Sequence, residues 1–181
     1  MPRLFIAVKI GPKAKKEAEI VQAELKKLFA HSKITWVDSE VMHLTLHFLG
    51  DCAEEQIPNI KQAIEKSAKG PKPQLVLEEV SAFPHIKDPR VLVIKAKDVG
   101  SHLANIQQNL GKELAATGLA IDNRPFKTHL TLGRIKFLQD HLQNLNLPVS
   151  SISWEVSSLE LIESKLTPDG PEYTELASFS L

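Results

Sequence analysis

Residues 3–10, RLFIAVKI, are a run of β-formers that stops at Gly11-Pro12, and they predict a buried strand followed by a turn. From Lys13 to Ala30 the period changes. Ala14, Ala18, Val21, Leu25 and Leu28 recur at spacings of three and four, with lysines and glutamates between them, which predicts an amphipathic helix. Strand pieces follow at 34–37 (ITWV) and 43–50 (HLTLHFLG). Ile57, Ile60 and Ile64 mark a second helix. Pro58 fits only its first turn, so that helix is expected to begin near Glu55.

Two more strands are expected at 74–80 (QLVLEEV) and 90–97 (RVLVIKAK), joined through SAFPHIKDP. Leu103, Ile106, Leu110 and Leu114 place a third helix over about 99–117, with Gly118 as its stop. A strand at 128–135 (THLTLGRI) and a short helical turn near 138–145 come next. SISWEV, SLELIES and EYTELASF close the chain as strands, the last two joined across the turn cluster KLTPDGP. This order, with no linker between its parts, predicts an α+β chain of two similar halves in one two-lobed domain over 1–181.

Charge and cysteine content narrow the function. The chain carries 22 basic and 22 acidic residues, a balance unsuited to wrapping duplex nucleic acid but compatible with gripping one phosphate. Cys52 is the only cysteine, so neither an internal disulfide nor a cysteine-rich zinc site is available. The apolar run Leu4 to Val8 is too short for a signal-peptide core, and no span approaches the roughly 20 apolar residues of a membrane helix. A reduced, cytoplasmic setting is the expectation.

The candidate chemistry lies in a repeated tetrapeptide. His43-Leu44-Thr45-Leu46 returns as His129-Leu130-Thr131-Leu132, 86 positions later. On a strand, alternation puts His43 with Thr45 on one face and the two leucines on the other, and the second copy does the same. A single such face is ordinarily a half-exposed polar surface. Two meeting across a cleft would place two imidazoles, each with an unperturbed pKa of about 6.5, around one small volume. One imidazole can then accept a proton while the other donates one, and threonine hydroxyls can hold an oxyanion between them. A phosphodiester attacked in line suits this set, and neither metal nor cofactor is required by it.

The paired His-x-Thr-x motifs at 43–46 and 129–132 resemble those of the 2H phosphoesterases. Within that group the chain is similar to the RNA 2′,3′-cyclic phosphodiesterases, also called the 2′-5′ RNA ligase family. RLFIAV at 3–8, WV…HLTLHFLG from Trp36 to Gly50, FP with PRVLVI at 83–94, RPFKTHLTLGR from Arg124 to Arg134 and the C-terminal LELIESKLTPDGPEYTELASF carry the resemblance. Thr128 stands where this family often has proline. The resemblance implies two antiparallel lobes enclosing a cleft, and metal-independent opening of RNA 2′,3′-cyclic phosphate ends to 2′-phosphates. His43 would be the proton donor and His129 the acceptor, with Thr45 and Thr131 on the non-bridging oxygens. Implied partners are RNA ends, tRNA-like fragments among them, met by a monomer away from any membrane. The reverse reaction would join a cyclic end to a hydroxyl.

Arg134 and Phe48 each lie five residues beyond their histidine, an offset that strict alternation turns away from the histidine face. For Arg134 to reach a phosphate, as the resemblance implies, the strand must bulge or end near Gly133. Phe48 would then stack on a base, with Trp36 a second candidate, and Arg124 would support the second motif. Three rivals remain open. His43, His47 and His129 together could bind a metal. The cleft could bind an RNA end without turnover. It could also serve another 2H activity, on 2′-5′ oligoadenylate or ADP-ribose cyclic phosphate. His31, His85, His102 and His141 read as surface groups.

Overall fold

The computed structural model describes residues 1–140, 144–167 and 170–181. Strand β1 (Arg3–Lys9) buries all five residues from Leu4 to Val8, so both of its faces are covered. Helix α1 (Pro12–Leu28) takes Pro12 in its first turn, buries Ala14, Ala18, Val21 and Leu25, and ends on Lys26 and Lys27, whose charges suit a helix C-terminus. Next come β2 (Lys33–Trp36) and β3 (His43–Asp51). A 3-10 turn at Glu54–Gln56 leads into α2 (Ile57–Ser67), again with its proline in the first turn.

Strands β4 (Gln74–His85) and β5 (Asp88–Val99) run through the segment read as a connecting loop, since Phe83 pairs with Val91 and Pro84 with Pro89. Helix α3 (His102–Ala116) starts later than its periodicity predicts, because Gly100 and Ser101 both adopt positive φ. The Asp98 carboxylate caps it, accepting from the backbone N–H groups of Leu103 at 3.2 Å and Ala104 at 2.8 Å. Then follow β6 (His129–Phe137), β7 (Ser153–Glu155), β8 (Ser158–Thr167) and β9 (Gly170–Ser180). The helical turn expected near 138–145 does not form at 138–140 or 144–145, and its residues 141–143 lie outside the described residues.

The strands form two antiparallel sheets, β3-β1-β8-β9 and β2-β6-β5-β4-β7, each carrying one copy of the tetrapeptide. The two lobes therefore exist, but they are not the two halves of the chain. β2 crosses from the first half to edge the second sheet, while β8 and β9 return to complete the first. The helices are exchanged as well. α1 leaves the first sheet and packs on the second, where buried Gln22 donates to the Leu132 carbonyl of β6 at 2.9 Å. α3 leaves the second sheet and packs on the first, where the Gln107 carbonyl meets the His47 ring at 2.8 Å.

Candidate active site

Leu44, Leu46, Leu130 and Leu132 are buried, while His43, Thr45, His129 and Thr131 stay half-exposed on the opposite face of their strands. β3 lies beside β6, which brings the two histidine-bearing strands together.

Both histidines are held in the same way. The Nδ1 of His43 lies 2.8 Å from the Val41 carbonyl, and the Nδ1 of His129 lies 2.6 Å from the Lys127 carbonyl. A carbonyl only accepts, so each Nδ1 carries the hydrogen and each Nε2 is left for proton transfer. Burial lowers both imidazole pKa values, the carbonyl bonds oppose that shift, and the Arg134 guanidinium adds to it at both rings. The charge of one cation, Arg134, thus acts on both imidazoles. Lys127 lowers His129 further.

Arg134 gets there through a bulge. Leu92 pairs with Gly133 but Val93 pairs with Thr131, leaving Leu132 as an extra residue in β6. β3 does the same: Ile6 pairs with His47 and Ala7 with Thr45, leaving Leu46 extra. The two bulges stand at equivalent places in the repeat. Each resets the alternation, so Phe48 and Arg134 return to the histidine side. The bulge in β6 falls one residue before the position the sequence indicated. Its Leu132 carbonyl accepts from Val37 N–H at 2.9 Å as well as from Gln22.

The same reset turns His47 the other way. It is buried with its Nε2 against the Gln107 carbonyl, so His43 and His47 do not share a face and the three-histidine site is not assembled. Among the described residues no group of three or more histidines, cysteines, aspartates or glutamates is placed to hold a metal ion.

The chain itself resembles one family twice over. The family described as LigT like Phosphoesterase matches residues 8–93 and again 94–173. The chain belongs to this phosphoesterase family. The two matches start 86 positions apart, the offset that separates the tetrapeptides. An Archaeoglobus fulgidus protein named RNA 2′,3′-cyclic phosphodiesterase is 34% identical over 98% of this chain and 99% of its own length. A Thermotoga maritima protein of the same name is 31% identical over 94% of this chain and 91% of its own. Among solved structures, TT0787 of Thermus thermophilus superposes with a TM-score of 0.84 at 28% identity, covering 99% of this chain and 97% of that one.

Around the first histidine of this LigT-like phosphoesterase the structure assembles rings from three strands. Phe5 of β1 stacks on His43 with centroids 4.8 Å apart, and Tyr173 of β9 meets His43 edge-on at 5.5 Å. Phe48 lies 6.0 Å from Phe5 and is 63% exposed, an open aromatic face beside the site. Burial raises the Tyr173 hydroxyl pKa, and Arg134 opposes that rise. Around the second histidine, Phe83 of β4 meets His129 edge-on at 4.9 Å. Sequence reasoning missed Phe5, Tyr173, Phe83 and Lys127 as site residues: strand pairing positions the three rings, and Lys127 lies in the segment just before β6, held by its carbonyl's contact with His129.

Trp36 is not brought to this site. It pairs with Gly133 and shares its face, so close that a Cβ at 133 would lie 2.9 Å from the Trp36 ring, and Lys26 of α1 sits 5.6 Å from the ring centroid. Trp36 therefore packs under α1, on the face opposite Arg134. Arg124 is exposed and binds the Asp122 carboxylate, which it holds down to about 2. His31 pairs with Asp140 at the surface, His85 ends β4 and His102 begins α3, while His141 lies outside the described residues.

Proposed function

We propose that the cleft opens RNA 2′,3′-cyclic phosphate ends to 2′-phosphomonoesters by two-histidine acid–base catalysis. The observation that carries this reading is the matched pair of imidazoles, each with Nδ1 locked on the carbonyl two residues back, and both felt by the Arg134 charge. The names of the A. fulgidus and T. maritima relatives support the substrate.

The aromatic surface made by Phe5, Phe48 and Tyr173 lies on the His43 side and suits a nucleoside, whose base stacks on Phe48. A nucleoside seated there turns its 3′-oxygen toward His43. In-line attack then brings water from the His129 side. His129 Nε2 takes the proton from water as the new O–P bond forms. The P–O3′ bond breaks, and His43 Nε2–H protonates the departing oxygen. The products are a 2′-phosphate and a 3′-hydroxyl, and exchange with solvent restores both rings. Thr45 and Thr131 hydroxyls hold the non-bridging oxygens, and the Arg134 charge offsets the phosphate. We place the enzyme in the cytoplasm as a monomer, with its one cysteine reduced and buried; among the described residues no helix is long and apolar enough to cross a membrane.

The test is an RNA oligonucleotide ending in 2′,3′-cyclic phosphate, incubated with the protein in excess EDTA. A 2′-phosphate product that persists under chelation and disappears in His43→Ala and His129→Ala is expected. Turnover only with added metal, or a 3′-phosphate product, would overturn the mechanism.

A further inference from the structure

The two walls of the cleft differ chemically, and hydrolysis leaves part of the second wall unused. Register places Ser81 opposite Val93 and Val93 opposite Thr131, while Phe83 stands opposite Val91 and Val91 opposite Arg134. Lys95 pairs directly with His129. Ser81, Phe83 and Lys95 therefore share the face of the catalytic groups. A pocket of about 430 Å³ opens there, lined by these three side chains with Glu78, Lys127 and Thr128. Its wall is continuous with the site, since Phe83 touches the His129 ring and Lys127 supplies the carbonyl that holds it.

Water occupies only about 30 Å³, so the attacking water does not account for a pocket of this size beyond His129. Its contents suit a nucleotide. Lys127 is exposed, its ammonium 5.4 Å from the Phe83 centroid, and no carboxylate among the described residues pairs with it. Lys95 is steadied by Glu79 at 2.7 Å yet remains 42% exposed. Ser81 and Thr128 hydroxyls and the Glu78 carboxylate offer partners for ribose hydroxyls and base N–H groups. Across the cleft, Lys9 pairs with His43 as Lys95 pairs with His129, but Lys9 is bound by Glu175 at 2.8 Å with buried Glu160 behind it. Of these lysines beside the two histidines, the one left without a carboxylate is thus on the second wall.

We infer that this pocket is a second ribonucleotide subsite, holding a phosphate on Lys127 and Lys95 beside the Phe83 ring while the cyclic phosphate lies between the histidines. The inference rests on the function proposed above. The nucleotide can belong to the strand that carries the cyclic end or to a second strand offering a 5′-hydroxyl. In the second case the 5′-oxygen replaces water: the O5′–P bond forms, the P–O3′ bond breaks, His129 takes the 5′-hydroxyl proton and His43 protonates O3′. A 2′-5′ diester results.

The test compares kcat/KM for a nucleoside 2′,3′-cyclic monophosphate with that for an oligoribonucleotide bearing the same end, in wild type, Lys95→Met, Lys127→Met and the double variant. A second arm adds an oligonucleotide with a 5′-hydroxyl and measures joined product. If the same strand fills the pocket, the oligonucleotide is favoured about tenfold in wild type and that ratio falls toward one in the variants. The salt slope of log kcat/KM then shallows by about 0.7 for each lysine that no longer neutralises a phosphate. If a second strand fills it, the hydrolysis ratio is near one in wild type, and the ratio of joined to hydrolysed product falls in the variants. A merely structural role would depress all reactions together and leave both ratios intact, which would overturn the subsite. Failure of wild type to open either substrate would instead overturn the proposed function.

Discussion

Lys127 grips the Nδ1 of His129 with its backbone carbonyl at 2.6 Å while its ammonium opposes protonation of the same ring. Val41, its counterpart before His43, supplies the carbonyl without a charge. The two imidazoles are thus alike in tautomer and different in electrostatic surroundings, and that difference can tell base from acid. A base must be neutral, so activity is lost as pH falls through its pKa, whereas an acid must be protonated, so activity is lost as pH rises. Removing Lys127 raises the His129 pKa and leaves the His43 surroundings unchanged. For a cyclic mononucleotide, Lys127→Met is expected to move the acidic limb of the kcat/KM profile to higher pH while the alkaline limb stays in place. A shift of the alkaline limb instead would exchange the two roles.

Thr45→Val and Thr131→Val remove hydroxyls without changing side-chain volume greatly. If these hydroxyls tighten on the phosphate oxygens as charge shifts, each variant lowers kcat by about a hundredfold and KM changes little. Steady-state kinetics at the pH optimum measure this. Equal loss in KM and none in kcat would mean that the threonines bind ground state and transition state alike.

Phe48 and Trp36 separate by face, and their variants should separate by readout. Phe48→Ala is expected to raise KM about tenfold, the lower part of the 1–3 kcal/mol range for a stacked base. Its melting temperature should stay near wild type because the ring is already 63% exposed. Trp36→Ala should lower the melting temperature, since its ring packs on Gly133 and Lys26, and leave KM unaltered. A KM effect at Trp36 would contradict its placement under α1.

Gly133 is the one position in β6 where a side chain has no room. A Cβ there would come within 2.9 Å of both Ile34 and Trp36 on the edge strand β2. Gly133→Ala should therefore push β2 outward, cost about 1–3 kcal/mol of stability and lower kcat/KM by disturbing the bulge that aims Arg134. Denaturant unfolding and kinetics on the same variant check both effects. Wild-type stability would show that β2 yields without cost.

Glu160 is fully buried on the cleft face of β8, where Ser158 and Ser178 hydroxyls donate to Oε1 and Oε2 has no partner among the described residues. Burial raises its pKa above 4.5, against the lowering effect of Ser158, Lys9 and Ser178. A raised folded-state pKa contributes stability below the unfolded value, and that contribution is lost as pH rises through the folded value. Glu160→Gln should accordingly gain stability relative to wild type at pH 8 and not at pH 4. Urea unfolding at the two pH values decides it; equal differences at both would show that the carboxylate charge costs nothing.

Much of this molecule was legible from hydrophobic spacing. The stripes Ala14, Ala18, Val21, Leu25 and Leu103, Ile106, Leu110, Leu114 are the buried faces of α1 and α3. Alternation within each tetrapeptide put His43 with Thr45 and His129 with Thr131, and the structure keeps them so. Counting by two failed two residues later, at His47, because Leu46 is a bulge. The start of α3 was misjudged because its Asp98 cap stands across a left-handed turn at Gly100-Ser101.

By itself the sequence determined the repeated His-x-Thr pairs, their 86-residue offset, the helix faces and the family, all of which depend on local spacing or on residue identity. Tertiary structure decided which side of its strand each later residue occupies. The bulge at Leu132 stands with its carbonyl satisfied by Val37 and by Gln22, 110 positions away. It also decided that Phe5, Tyr173 and Phe83 surround the histidines, because strand order and the exchange of α1, α3 and β2 between lobes set those contacts. A long-range hydrogen bond or strand pairing leaves no periodic trace in the residues that make it, so those choices become visible only when the sheets are assembled.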